Sequence, residues 1–360
     1  MDQKLASFLT TEYKIGKVRI APIDLLLLAA TVLFGILLRS KLYPVYAPRE
    51  PGLPSPFGGT IVIMKYVSTL LDYFMALCGG LVVYELTGSR IRSYLTVTIL
   101  FLSPAAVTDS ALWGFASGAF LGLGFLSLLC LLRRKEAAAA ALLGGAALMS
   151  PYALFLVPVF TAAFLQRFGG RKRVLMTLSV LFYGAGGAML HGFLVLQKFI
   201  FLPPFTYERI LSESRPGLLS YNVPGLFALI GEKSFVKEYT GAGLLWTLTA
   251  AVLLGYLSYK LLTSGGRIVL EAALLSSMVL AFLMPGAQEQ SLLLASALSV
   301  VLAMYQPRAY RLAVLQVVIA LLPTAAYFRG ESFLPMPGIA LLQLLGILVY
   351  YNRLYRLEKL

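Results

Sequence analysis

Long apolar runs separated by short polar connections cover most of this chain. A helix needs about 20 residues to cross roughly 30 Å of hydrocarbon. Runs of that order lie near residues 21–39, 60–87, 91–107, 114–132, 174–200, 242–262, 268–285, 289–305, 309–327 and 336–351. The pattern predicts an all-α polytopic membrane protein of about ten spans. Between the fourth and fifth runs, the small-residue stretch 137–149 is followed by Ser150-Pro151 and a further apolar run to about 166. At 1.5 Å per residue its first half is only about 20 Å long. The two halves predict a short helix pair broken at Pro151, and irregular backbone at membrane depth must be buried in protein or line a wet cavity.

The polar connections differ in sign. Twenty of the 30 basic residues fall in alternate connections, among them Arg133, Arg134 and Lys135, and Arg167, Arg171, Lys172 and Arg173. Placed in the cytoplasm by the positive-inside rule, these loops put both termini inside. Glu50, Asp109, Glu208, Glu213, Glu232, Glu238, Glu289 and Glu331 then fall on the outer side, which points any chemistry to the extracytoplasmic face. Residues 1–20 form a separate segment. Leu5, Phe8 and Leu9 share one helical face there, suiting an amphipathic helix on the inner leaflet. The first apolar run is full length with no A-x-A site after it, so it should anchor permanently. Residues 21–360 make one transmembrane domain with two large outer loops, 40–59 and 203–241.

Composition narrows the picture further. The chain of 360 residues is 59% hydrophobic and 13% charged, with a mean hydropathy of +0.82, far from the soluble average of about a quarter charged. A net charge of +14 would suggest nucleic acid in a soluble domain, but topology accounts for most of it, and no nucleic-acid partner is implied. Cys78 and Cys130 have no ligand-spaced His or Cys beside them, so neither a disulfide framework nor a metal site is indicated. The lone His191 sits in an apolar run, where a hydrogen-bonded packing role suits it better than a ligand role.

Three outer stretches combine ionisable or aromatic groups with helix breakers. Residues 39–59 are Pro-rich, with Glu50 their only carboxylate; Tyr43 and Tyr46 could anchor at the headgroups while Arg39 and Lys41 meet lipid phosphate. In T-D-S-A-L-W-G, 108–114, Asp109 and Trp113 could share a helix face at a site mouth. Equally, Asp109 could cap the helix starting near Ser110 while Trp113 joins the aromatic belt. Residues 284–291 bring Gln288, Glu289 and Gln290 to the start of a span, where an acid also suits the helix dipole. Asp72, with Lys65 two turns earlier on the same face, is the carboxylate deepest in the membrane. Such a residue is functional by default or else hydrogen-bonded or paired to Lys65. Glu85 and Glu271, near Arg90 and Arg267, read as snorkelling or paired surface charges.

Read in order, S-P-A-A-V-T-D-S-A-L-W-G (103–114), M-S-P-Y-A-L-F-L-V-P (149–158), S-Y-N-V-P-G-L-F-A-L-I-G (220–231) and Q-E-Q-S-L-L-L-A (288–295) resemble the motifs of polytopic glycosyltransferases of the GT-C class. The likeness is closest to bacterial relatives of the second mannosyltransferase of the GPI-anchor pathway, and covers residues 20 to about 305. It implies a sugar, a hexose such as mannose, moved with inversion from a polyprenyl-phosphate donor to an acceptor on the outer face of a cell membrane. The donor is a substrate, and no cofactor is implied. An outer carboxylate, Asp109, Glu50 or Glu289, would act as general base, and Arg39, Lys41 or Arg49 would hold the leaving phosphate. Trp113, Tyr152, Asn222 and Gln288, at motif positions, would contact substrate, and an amphipathic helix at 205–214 could border the lipid's entry. The chain also departs from the pattern. Phe115 and Ser117 stand where the family has Gln and Asp, Ser150-Pro151-Tyr152 replaces K-P-Q, and Gln288-Glu289-Gln290-Ser291 replaces H-E-R-Y. Either the site is rebuilt for another acceptor, or the chain keeps the fold without the reaction, as a subunit that binds lipid-linked glycan or supports a partner membrane enzyme.

Overall fold

A computed structural model describes residues 11–15, 18–44, 58–196, 223–230, 237–264, 268–329 and 334–358. Apart from one hairpin, their regular structure is helical. In chain order the elements are α1 (Pro22–Ser40), α2 (Gly58–Thr87), α3 (Arg90–Phe101), α4 (Pro104–Val107), α5 (Ser117–Leu132), α6 (Glu136–Met149), α7 (Val157–Arg167), α8 (Gly170–Leu196), α9 (Leu226–Ile230), α10 (Lys237–Ser264), α11 (Val269–Leu283), α12 (Gln290–Tyr305), α13 (Tyr310–Arg329) and α14 (Met336–Glu358). Ahead of them, β1 (Tyr13–Ile15) and β2 (Val18–Ile20) pair antiparallel with Tyr13 opposite Ile20. The hydrophobic pattern gave no sign of this hairpin, and the apolar stripe at residues 5–9 lies outside the described residues.

Six helices, α1, α2, α8, α10, α13 and α14, contain stretches long and apolar enough to cross a membrane. The chain is therefore a multi-pass membrane protein, but the count of ten spans is not reproduced. The run 91–107 is not one rod: the chain breaks at Ser103-Pro104 and bends by 43°, giving a seventh candidate only if the bent pair counts as one span. Proline cannot continue the hydrogen-bond ladder and disfavours helical geometry in the residue before it. The runs 114–132, 268–285 and 289–305 become α5, α11 and α12, of 16, 15 and 16 residues. At 1.5 Å per residue these are about 23–24 Å long, shorter than the hydrocarbon. Along α12 every residue from Gln290 to Ala303 is buried. Protein encloses it, so its apolar residues reflect core packing.

The predicted break at Pro151 is present. Ser150 is extended (φ −158°, ψ 134°), a 3₁₀ segment covers Pro151–Leu156, and α7 follows. His191 fills its predicted packing role, its buried Nδ1 lying 2.8 Å from the Leu148 carbonyl oxygen, to which an N–H there donates. Because α5, α6 and α7 follow one another through short turns, Ser117 and Ser150 come to one end of the bundle, while the turns at 133–135 and 168–169 go to the other.

Candidate functional site

The site end is built on α1 and α2. Thr31, Gly35 and Arg39 recur every four residues and form the buried ridge of an otherwise largely exposed helix. A Cβ on Gly35 would stand 2.2 Å from the Phe101 ring, so glycine lets that ring lie under the helix. The Arg39 guanidinium then stacks 4.3 Å above it. Arg39 Nη2 donates to Asp72 Oδ2 at 2.9 Å and to the Phe101 carbonyl at 2.8 Å, and Nε donates to Ser110 Oγ at 3.3 Å. Arg39 is 0% exposed and Asp72 2%, so the pair is fully desolvated. Nη1 makes no hydrogen bond.

Asp72 therefore pairs with Arg39 and not with Lys65. Lys65, also fully buried, donates from Nζ to the Tyr43 carbonyl at 3.1 Å. Tyr43 is no headgroup anchor: it is buried, its hydroxyl 2.8 Å from Thr69 Oγ1 and its ring against Tyr66. Nor does Arg39 reach lipid phosphate from where it lies, whereas Lys41 is exposed. The repeat of small and polar residues at 31, 35 and 39 was the signal that Arg39 faces protein.

The corner at 108–114 is neither a plain turn nor a capped helix start. Thr108–Trp113 form a π-helical turn, a geometry frequent at functional sites. Gly114 ends it at φ +75°, where an L side chain would be strained. Asp109 lies inside this turn, so it does not cap a helix from outside. Its carbonyl accepts from the Phe115 amide at 3.1 Å, and Ser68 Oγ donates to the Gly114 carbonyl at 2.9 Å, tying the corner to α2. Trp113 is 2% exposed and stacks on Phe115, so it is a packing residue away from any aromatic belt.

The Asp109 side chain is 7% exposed, and Oδ2 makes no hydrogen bond. Asp72, Asp109, Ser103, Ser117 and Ser296 border one cavity with room for the centre of about one water molecule, about 10 Å³. A second, of about 20 Å³, lies between Ser117, Ser150 and Gln290, where the break at Pro151 suggested one. Ser117 borders both, and its Oγ and that of Ser150 make no hydrogen bonds. A Cβ on Gly118 would sit 2.4 Å from the Leu71 backbone, so this glycine lets α5 start against α2 beside Asp72.

Glu289 occupies the N-cap position of α12 without using its side chain as a cap, and it is buried. Its neighbour Gln288 donates its amide to the Tyr152 hydroxyl at 3.0 Å, joining the 149–158 and 288–295 stretches. No family model matches the chain, and neither does any curated protein or solved structure.

Of the residues singled out by sequence, Arg39, Lys65, Asp72, Asp109, Trp113, Tyr152, Gln288 and Glu289 thus lie at one end of the bundle. Glu50, Arg49, Asn222, Tyr46 and the segment 205–214 lie outside the described residues. Among the described residues, no three His, Cys, Asp or Glu side chains are grouped to hold a metal ion. Of the two acids read as snorkelling or paired surface charges, Glu85 is a partly exposed paired charge, with a different partner from the expected one, and Glu271 is not. Glu85 pairs with Arg133 at 2.6 Å, while Arg90 pairs with Glu12 and Asp24. Glu271 is buried, accepts from Gln306 and so connects through that amide to Arg353.

Proposed function

We propose that this chain transfers a sugar from a polyprenyl-phosphate donor to an acceptor at the outer face of a prokaryotic cytoplasmic membrane, with Asp109 as the general base. The observation that carries the reading is the buried Asp109 carboxylate, whose Oδ2 makes no hydrogen bond in a cavity shared with Asp72. Buried polar atoms are nearly always satisfied, and an ionisable side chain at membrane depth is functional by default. A base needs the opposite of a cap: a lone pair free to accept the acceptor's proton within about 3 Å. Asp72 is spent on Arg39 and cannot serve. The unbonded Nη1 of Arg39 offers a donor for the phosphate leaving group once the corner opens. Glu289 is a further buried carboxylate at this end, beside Gln288, whose backbone amide donates to the Tyr152 hydroxyl.

One observation favours the second reading, a subunit that keeps the GT-C-like frame without the reaction and supports a partner membrane enzyme. The cavity that Asp109 borders among the described residues takes about a water molecule and excludes a sugar. Under the enzyme reading, the corner carrying Phe115 and Ser117 must move when substrate enters.

The two readings separate in reconstituted vesicles supplied with polyprenyl-phosphate hexose and a cell-envelope lipid extract as acceptor source. The enzyme releases polyprenyl phosphate, and Asp109→Asn lowers that release about 100-fold or more, with Glu289→Gln and Glu50→Gln as comparison variants. Release by none of the proteins, together with co-purification of a second membrane protein, supports the subunit. Full release by all three variants removes the catalytic assignment.

A further inference from the structure

At the end of the bundle opposite the site, two basic turns lie side by side. The first, at 133–135, joins α5 to α6, and the second, at 168–169, joins α7 to α8. Arg167 holds them together, its Nη1 donating to the Leu131 carbonyl at 2.7 Å and lying 3.5 Å from Glu136 Oε1. Glu85 and Glu136 are taken up by Arg133 and Arg167. Arg134, Lys135, Arg171 and Lys172 are exposed and make no ion pair with any described acid.

Between the turns runs an open groove of about 400 Å³. Ala137, Ala138, Phe168 and Met176 supply its apolar surface, Lys135 and Lys172 its positive charge, and Glu136, paired with Arg167, also lines it. Lys172 Nζ lies 5.1 Å above the Phe168 ring, which keeps the ammonium over the groove. From Arg171, exposed Leu175, Leu178 and Phe182 continue along one face of α8. A charged end and an apolar tail thus lie in line.

The backbone adds an independent observation. Arg134 has φ +57°, and every other left-handed position among the described residues is glycine, at 88, 114, 170 and 286. The left-handed region is unfavourable for an arginine. Glycine would end α5 without that strain, yet the chain presents a cation there.

We propose that this groove binds the phosphodiester headgroup of an anionic phospholipid, with Arg134, Lys135, Arg171 and Lys172 around the phosphate and an acyl chain along Leu175, Leu178 and Phe182. A basic pocket between helices at a membrane surface suits such a headgroup, and each Lys or Arg near the surface adds to the attraction. A zwitterionic lipid has the same tail without the net charge, so the four cations set the preference.

The test uses the full chain in neutral detergent, titrated with phosphatidylglycerol, phosphatidylcholine or inorganic phosphate and read by native mass spectrometry and thermal stability. Phosphatidylglycerol should bind and stabilise, phosphatidylcholine should bind about tenfold more weakly or worse, and inorganic phosphate should not substitute. Changing Arg134, Lys135, Arg171 and Lys172 together to Gln should remove the preference. An equal loss of charge through Arg92, Arg308, Arg311 and Arg356 to Gln should leave it within about twofold. Lys172→Gln alone should weaken phosphatidylglycerol binding in part. Equal loss in both four-fold variants, equal binding of the two lipids, or full replacement by inorganic phosphate would each overturn the proposal.

Discussion

The two ends of the bundle hold their charges in opposite ways. At the site end Arg39, Lys65, Asp72, Asp109 and Glu289 are all buried, and Arg39 pairs with Asp72 there. At the other end most cations are exposed, and the pairs Glu85–Arg133 and Glu136–Arg167 are partly wet. Even its buried acid, Glu271, connects to Arg353 through the Gln306 amide. Exposed pairs contribute little stability and satisfy the topology rule. Buried charges are costly, and apolar residues of similar volume would often hold the same space at least as well. The contrast teaches that charge serves the two ends differently: exposed cations suit contact with a charged membrane surface, whereas desolvation without a full set of partners is what singles out the proposed base.

The comparison breaks most easily at Arg39 and Asp72. Asp72→Ala leaves a buried guanidinium without its counter-charge and should cost about 3–5 kcal/mol. Thermal unfolding in detergent would register this as a large fall in midpoint, and the paired change of Arg39→Met with Asp72→Leu should recover most of it. Next in size is Gly118→Ala. Its new Cβ meets the rigid α2 backbone, and overpacking of this kind costs about 1–3 kcal/mol. A midpoint equal to wild type would show that α5 can withdraw from Asp72. Glu271→Ala comes third at about 1–2 kcal/mol, because Gln306 and the Tyr350 hydroxyl, which donates to the Glu271 carbonyl, keep α14 attached. Smallest is Glu85→Gln, at about 1 kcal/mol or less and diminishing further in high salt. A larger loss there would erase the distinction between the ends.

The helices were legible because hydrophobic runs and breaker residues act locally. The break at Pro151 and the buried setting of His191 follow from residues within a few positions. The number of spans was not, because α11 and α12 are apolar all round whether protein or lipid encloses them. Composition does not distinguish the two solvents. The Arg39–Asp72 pair joins residues 33 apart on two helices, and a neighbour on the same helix, Lys65, looked the nearer partner. Sequence spacing fixes which face Asp72 occupies, whereas tertiary packing decides which cation meets that face. For the corner at 108–114, the residue types fit a cap and an aromatic anchor equally well. The π-helical turn that turns Asp109 inward depends on contacts with Ser68 and Lys65 of α2, which no local signal reports.

Asp72 and Asp109 border the same cavity but are assigned different work, structural for the first and chemical for the second. The direct test is to make Asp72→Asn and Asp109→Asn side by side, and to measure thermal midpoint and polyprenyl-phosphate release per folded molecule for each. Asp109→Asn should keep the wild-type midpoint or exceed it, since Oδ2 has no hydrogen bond to lose, and should lose about 100-fold or more of the release. Asp72→Asn should lose stability first. The account is contradicted if Asp109→Asn unfolds as readily as Asp72→Asn while the folded fraction releases polyprenyl phosphate at the wild-type rate.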